Sequence, residues 1–218
     1  MNIIRLPKIV LTLIFALFLT LNLSAKELDP LDTEEISKAL TISTPQQRQR
    51  HTKDNRNQTL ELLLVERAPV DKNNPTGSRL ADIYHYDYTN DETVHSVINL
   101  DTQNIISNQR HQYLQLPLTA KEIARATDII FSDSEQMQLL GTEYLRITGE
   151  YLTDPTQLNV KAFSFTAESM PEQLNPASQQ CGLNRCAQVL LYTHDSVVFE
   201  ISPIVNLSAG LVTQNIGY

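Results

Sequence analysis

The sequence PLDTEEISKA at residues 30–39 returns as PLTAKEIARA at residues 117–126. The two stretches align without a gap as P-L-x-x-x-E-I-x-[KR]-A. Two further pairs follow in the same order, namely RLADIYHYDY from Arg79 with RCAQVLLYTH from Arg185, and VINLDTQNIIS from Val97 with IVNLSAGLVT from Ile204. An ordered series of such matches predicts two copies of one supersecondary unit.

Each copy of the repeated stretch predicts the start of a helix. Asp32 stands three positions before Glu35, and Thr119 stands three positions before Glu122. This spacing predicts a capping box, in which the two side chains accept hydrogen bonds from backbone N–H groups of the first turn. Because a helix start accounts for both glutamates, we assign neither a catalytic role.

Runs of β-forming residues follow each predicted helix, and turn-forming residues separate them. A helix lying across one face of a curled sheet is the simplest way to bury the apolar face of such strands. We therefore predict an α+β fold of two tandem units, residues 26–112 and 113–218, each a helix packed on an antiparallel β-meander. The insertion at residues 133–154 stays open, since SEQMQLL fits a short helix and EYLRITGEYL fits a strand or a helix.

The first 25 residues have the order of a secretory signal peptide. Arg5 and Lys8 precede an apolar run, and Ser24 and Ala25 offer a small-residue cleavage site. The apolar run is shorter than the roughly 20 residues of a spanning helix, so an uncleaved anchor is the less favoured alternative. We expect a periplasmic or secreted protein with no stable membrane insertion after cleavage.

The net charge limits the classes of partner that we expect, and the two cysteines predict a disulfide. The formal net charge is −8, and loss of residues 1–25 removes positive charge alone, so we expect no nucleic-acid binding. Cys181 and Cys186 are the two cysteines of the chain, and an oxidising compartment favours a disulfide between them. A redox or metal-binding pair is the alternative, but no His lies near enough in sequence to complete a zinc site.

The chain resembles the two small amino-terminal domains of copper amine oxidases. The similar stretches are LDPLDTEEISKAL from Leu28, ELLLVERAP from Glu61, RLADIYHYDYTNDETVHSVINLDTQNIIS from Arg79 and QLPLTAKEIARA from Gln115. The resemblance implies a cystatin-like α+β fold for both units, which agrees with the helix and meander read from the residues. It implies no catalytic residue, because those amino-terminal domains carry none.

The catalytic signature of that family is missing from the sequence. Copper amine oxidases need an Asn-Tyr-Asp/Glu segment for the quinone cofactor and a His-x-His pair among three copper ligands. The chain has no Asn-Tyr dipeptide, and its five histidines include no His-x-His. We therefore expect a protein that is not an enzyme and has no cofactor.

Three groups of residues are candidates for binding. Tyr84, Tyr86 and Tyr88 alternate at strand period, so their rings are expected on one sheet face, either as a binding face or as core. His85 and His95 flank a predicted turn and could be cross-strand neighbours that take up a metal ion, but the sequence shows no third ligand nearby, so we assign no metal site. The segment at residues 44–59 carries four basic residues, Arg48, Arg50, Lys53 and Arg56, and is expected to be a solvated loop or a dock for an anionic partner.

The sequence supports a non-enzymatic binding or assembly protein, whose partner is another envelope or secreted protein. An exposed strand edge or the tyrosines would supply the contact. The alternative is an accessory to a separately encoded copper amine oxidase, or a role in copper handling. A peptidase inhibitor of the cystatin type is disfavoured, because the Q-x-V-x-G loop is missing.

Overall fold

A computed structural model describes residues 29–51, 60–69, 77–170 and 172–217, with the side chains of 44–51 left out of the description. The predicted signal peptide and the residues of the 44–59 segment beyond His51 lie outside these ranges. The basic side chains of that segment lie outside the description as well.

The described chain forms three helices and two four-stranded antiparallel sheets, which confirms the predicted α+β fold of two helix-plus-meander units. The sheet orders are β1-β2-β3-β4 and β5-β6-β7-β8, so every strand pairs with its neighbour in sequence. The helices are α1 (Thr33–His51), α2 (Ala120–Ser132) and α3 (Ser134–Thr148). The strands are β1 (Leu60–Arg67), β2 (Leu80–Asp87), β3 (Glu92–Asn99), β4 (Asn104–His111), β5 (Leu158–Phe165), β6 (Cys186–Thr193), β7 (Ile201–Asn206) and β8 (Leu211–Gly217).

Both predicted capping boxes form. The backbone N–H of Glu35 donates to Asp32 Oδ1 at 2.8 Å, and the N–H of Asp32 donates to Glu35 Oε2 at 3.0 Å. Thr119 and Glu122 exchange the same two bonds at 3.2 and 2.7 Å. These bonds satisfy donors that a helix start leaves without an intrahelical partner, so the repeated stretch begins a helix in both copies.

The structure corrects the sequence prediction for one segment and decides between the alternatives for another. The α1 backbone continues to His51, so the first part of the predicted loop at 44–59 is helical. The ambiguous insertion forms the single helix α3, which ends where Gly149 adopts φ +78°. That left-handed conformation suits glycine and lets the Gly149 N–H donate to the carbonyl of Leu145 at 2.9 Å.

The described residues fall into two compact units. The first contains the described part of α1, residues within Leu64–Ile83, and Ser96–Asn108; the second contains Tyr84–His95 and the chain from Gln109 onward, together with the first residues of β1. The sequence division between residues 112 and 113 stays a prediction.

Each unit has its own apolar core. In the first unit, α1 places Ala39 against the sheet residues Ala81, Ile83, Ile98 and Leu100. In the second, α2 and α3 cover one face of the sheet. The buried residues there include Ala126, Ile130 and Leu140 from the helices and Ala187, Val189, Leu191 and Val205 from the strands.

The second sheet is also covered over part of its opposite face. Residues 166–170 and 172–183 lie over it, and Leu174 and Cys181 pack with Phe165, Ile204 and Ile216 in a smaller core. This covering segment lies between β5 and β6, and the strand pattern did not predict its packing. Among the residues that the structure describes, no helix is both long and apolar enough to cross a membrane.

Candidate functional site

A buried arginine holds the start of the second repeat in place. Arg185 donates from Nε to Glu122 Oε1 at 2.7 Å and from Nη2 to Glu122 Oε2 at 3.1 Å. The same guanidinium donates to Gln115 Oε1 at 3.1 Å and to the carbonyls of Leu116 and Pro117 at 2.7 and 3.1 Å. Neither side chain of the Arg185–Glu122 pair is exposed to solvent. A bidentate pair with every donor directed in this way fixes both the strand and the segment before the helix.

The first repeat contains the same anchor. Arg79 donates from Nε and Nη2 to the two carboxylate oxygens of Glu35, at 3.0 and 2.8 Å. It also donates to the carbonyls of Asp29 and Pro30, at 2.7 and 2.8 Å. The proline, glutamate and arginine that recur in the sequence therefore form the same hydrogen-bonded arrangement in both repeats, in which the glutamate binds the arginine.

The charges in these anchors shift their pKa values. Burial would raise the pKa of Glu122, but the hydrogen bonds and the charge of Arg185 outweigh it and hold that pKa below its ordinary value. The hydrogen bond to Glu35 raises the pKa of Arg79 despite partial burial. Both anchors are therefore ion pairs at neutral pH, and the lowered pKa makes Glu122 a poor general acid.

The three tyrosines pack differently from one another. Tyr86 is fully buried and donates to Asp91 Oδ1 at 3.1 Å. Tyr88 is half-buried and donates to Glu122 Oε1 at 2.7 Å, and its ring meets that of Tyr86 edge-on at 4.7 Å. Burial raises the pKa of both phenols. The geometry thus gives Tyr86 and Tyr88 a packing role, and a binding role for the tyrosine face stays a prediction.

The Asp91 carboxylate accepts hydrogen bonds from three side chains of the second unit. Its Oδ1 accepts from the hydroxyls of Tyr86 and Ser208, and its Oδ2 accepts from Asn184 Nδ2 at 2.9 Å. Sequence reasoning assigned Asp91 no role, because Asn184 and Ser208 lie far along the chain. It sits at φ +53°, a left-handed conformation that aspartate tolerates better than most residues.

The predicted disulfide between Cys181 and Cys186 is confirmed. Both cysteines are buried, and the loop that they close carries Asn184 and Arg185, which contact Asp91 and Glu122. Gly182 in this loop adopts φ +107°, and its carbonyl accepts from Gln115 Nε2 at 2.9 Å. The disulfide therefore holds the residues that fasten the second unit together.

The predicted neighbour relation of His85 and His95 is wrong. His95 stacks on Tyr84 with ring centres 4.3 Å apart and planes within 4°. Successive residues of a strand point to opposite faces, so His85, next to Tyr84, faces away from that stack. His85 is buried, and burial lowers its pKa to about 4. The ring near His95 is instead that of His111, with centres 6.3 Å apart.

Strand β5 lies at the edge of the second sheet and carries an exposed aromatic ring, that of Phe163. It pairs with β6 in a continuous register from Leu158↔Thr193 to Phe165↔Cys186 and stands at the sheet edge. Within the described chain, no strand pairs with its other side. We define the β5 surface as the outer-face residues that this register places together, Lys161, Phe163, Leu190, Tyr192 and Val198.

The β5 surface combines exposed apolar groups with one cation. Phe163 is 54% exposed and Val198 is 55% exposed. The Lys161 ammonium lies 5.6 Å from the centre of the Tyr192 ring, a cation–π contact that holds the lysine over the sheet face. No signal in the sequence predicts this surface, because the same alternation fits a strand at an edge or in the middle of a sheet.

Comparisons with known proteins bear on the fold. No protein-family model and no curated protein sequence matches the chain. Among solved structures, the chain is similar to a copper-containing benzylamine oxidase from Hansenula polymorpha, with a TM-score of 0.53 and 14% sequence identity. The match covers 88% of this chain and 30% of that one, so this chain spans about a third of the length of the oxidase. The structural relationship to a copper amine oxidase, expected from the sequence, is confirmed at the level of the fold.

Proposed function

We propose that this protein is a non-enzymatic binding or assembly protein of the periplasm or extracellular space, which binds another protein through the β5 surface. The observation that carries the proposal is the unpaired edge of β5 beside the exposed ring of Phe163. The disulfide supports the location, because such bonds persist in oxidising compartments.

The edge of β5 offers backbone groups that a partner strand can satisfy. Its eight residues pair with β6 without a register shift and contain no proline. Natural proteins protect such edges with bulges, prolines, charges or a covering element, and β5 has only Lys161 facing outward as a charge. An extended segment of another protein that pairs with β5 would gain main-chain hydrogen bonds.

The face beside that edge supplies specificity. A partner strand paired with β5 would place every second side chain on the outer face of the sheet, next to Phe163 and Lys161 of β5. An apolar side chain would cover Phe163, and an acidic one would approach Lys161. The Arg185–Glu122 pair and the disulfide make the sheet rigid beforehand, which lowers the entropy lost on binding.

Site-specific photocrosslinking tests this proposal. A photoreactive residue at position 163 in the full chain, expressed in its native host, should capture one protein reproducibly. The matched control carries the same residue at Leu139, which is 37% exposed and lies on α3, the helix layer that covers the other face of the sheet. Capture from both positions, or from neither, would remove the β5 surface as the binding site.

Direct binding then measures the contribution of Phe163. With the captured partner purified, Phe163→Lys should weaken its affinity at least about tenfold, because an exposed anchor ring at an interface contributes more than about 1.4 kcal/mol. Leu139→Lys should bind like the unmodified protein. Equal affinities for both variants would refute the proposal.

The structural similarity to a copper amine oxidase favours a second candidate function. We infer that the chain could serve as an accessory to a separately made catalytic chain of that class, since it corresponds to less than a third of such an enzyme. Size-exclusion chromatography of this protein with an amine oxidase that lacks its own amino-terminal domains should then yield a stable complex. Separate elution of the two chains at micromolar concentrations would rule the accessory role out.

A further inference from the structure

We propose that His95 and His111 form a surface site for a divalent transition-metal ion, with Tyr84 supporting the first ring. The two histidines lie on adjacent strands, β3 and β4, and their ring centres are 6.3 Å apart. The site depends on neither the β5 surface nor an oxidase partner.

The separation of the rings fits one shared ion. A metal–nitrogen bond of about 2 Å puts the ring centre about 3 Å from the ion. Two imidazoles that share one ion therefore have centres about 4 to 6 Å apart, the longest separation belonging to nitrogens on opposite sides of the metal. The observed 6.3 Å lies just above that range, and a rotation of the His111 side chain would bring the two rings within it.

The surroundings orient the rings before an ion arrives. Tyr84 on β2 lies parallel to His95, with ring centres 4.3 Å apart and planes within 4°. Stacking of this kind restricts rotation of the imidazole, so less entropy is lost when the ion binds. All three rings are partly exposed, which lets an ion enter from solvent. An imidazole binds a metal through one nitrogen and keeps the other for a hydrogen bond.

The ligand set selects the class of ion. Imidazole nitrogen suits Cu²⁺, Ni²⁺ and Zn²⁺, whereas Ca²⁺ and Mg²⁺ require oxygen ligands. No group of three His, Cys, Asp or Glu side chains suited to a metal occurs among the described residues. The two histidines would therefore hold the ion alone and leave its other positions to water or to a donor from a partner molecule. Affinity should be highest for Cu²⁺, following the usual order of divalent ions.

The test titrates the purified full chain with Cu²⁺, Ni²⁺ and Zn²⁺ by calorimetry. We expect one ion per chain, Cu²⁺ bound most tightly, and an affinity at least about tenfold lower in His95→Asn and in His111→Asn. The matched control is His194→Asn, since His194 is exposed on a different hairpin and contacts Asn159 and the Thr156 carbonyl. It should bind metal like the unmodified protein.

Electron paramagnetic resonance of the Cu²⁺ form of the unmodified chain gives a readout that does not depend on folding of the variants. Nitrogen hyperfine coupling from two imidazoles is the expected spectrum, and coupling from one or none contradicts the proposal. Undiminished affinity in the double variant of His95 and His111, an equal loss in His194→Asn, or no heat of binding at 100-fold excess metal would each overturn it.

Discussion

Replacement of Glu122 by Gln tests the physical meaning of the repeat. The substitution keeps the shape of the side chain and removes its charge. Arg185 would then be a fully buried cation that keeps at most one of its two bonds to residue 122, because the amide NH2 group cannot accept, while its bonds to the Leu116 and Pro117 carbonyls remain. Loss of one partner of a buried ion pair costs about 3 to 5 kcal/mol. This is a large share of the roughly 5 to 15 kcal/mol that stabilise a typical domain.

The first repeat supplies the matched control. Glu35→Gln breaks the equivalent pair, but the side chains of Arg79 and Glu35 are 10% and 15% exposed, so water can partly replace the lost charge. We expect a loss of about 1 to 2 kcal/mol there. Both variants keep the capping interaction of the helix start, because glutamine also fits the capping box. The difference between them therefore reports burial of the charge pair.

Urea unfolding of the two variants and the unmodified chain measures these free energies, with far-ultraviolet circular dichroism as the signal. Native-state hydrogen exchange assigns each loss to its unit, because the two compact units need not unfold together. A loss below 1 kcal/mol in Glu122→Gln, or a larger loss in Glu35→Gln, would refute the role given to the buried pair.

Three further predictions concern acid sensitivity, the disulfide and a helix end. Burial lowers the pKa of His85 from 6.5 to about 4, so the folded state disfavours the protonated imidazole. The free energy of unfolding should therefore fall by about 3 kcal/mol as the pH drops from 6.5 to 4. Denaturant titrations of His85→Gln at several pH values should lack this dependence on pH. Replacing Cys181 and Cys186 together by Ala should cost about 2 kcal/mol, measured by thermal unfolding, because the loop between them is short. Gly149→Ala should cost about 1 kcal/mol through backbone strain alone, since nothing lies within 4 Å of the added methyl; an unchanged melting temperature would contradict this.

Acid unfolding of the unmodified chain should then continue below the range set by His85. The pKa values of Glu122 and Asp87 lie below their ordinary values, because the hydrogen bonds and charges of nearby cations outweigh burial. Their ion pairs therefore stabilise the fold above the ordinary carboxyl pKa, about 4, and this contribution is lost as the pH falls further through the lowered values.

The sequence by itself determined those features that depend on neighbours a few residues apart. Helix starts at Asp32 and Thr119, alternating strands and the disulfide between Cys181 and Cys186 were all readable, because capping, strand period and loop closure act over short distances. The repeat of these local signals was enough to predict two helix-plus-meander units.

Only the tertiary structure decided which distant side chains meet. Arg185 reaches Glu122 and His95 comes close to His111 through the pairing of strands, and a change of one residue in register would turn each side chain to the other face. Sequence reasoning therefore placed His85 beside His95 incorrectly and assigned Asp91 no role. Whether β5 lies at an edge is likewise a property of the whole sheet, since an edge strand and a central strand can share the same alternation of residues.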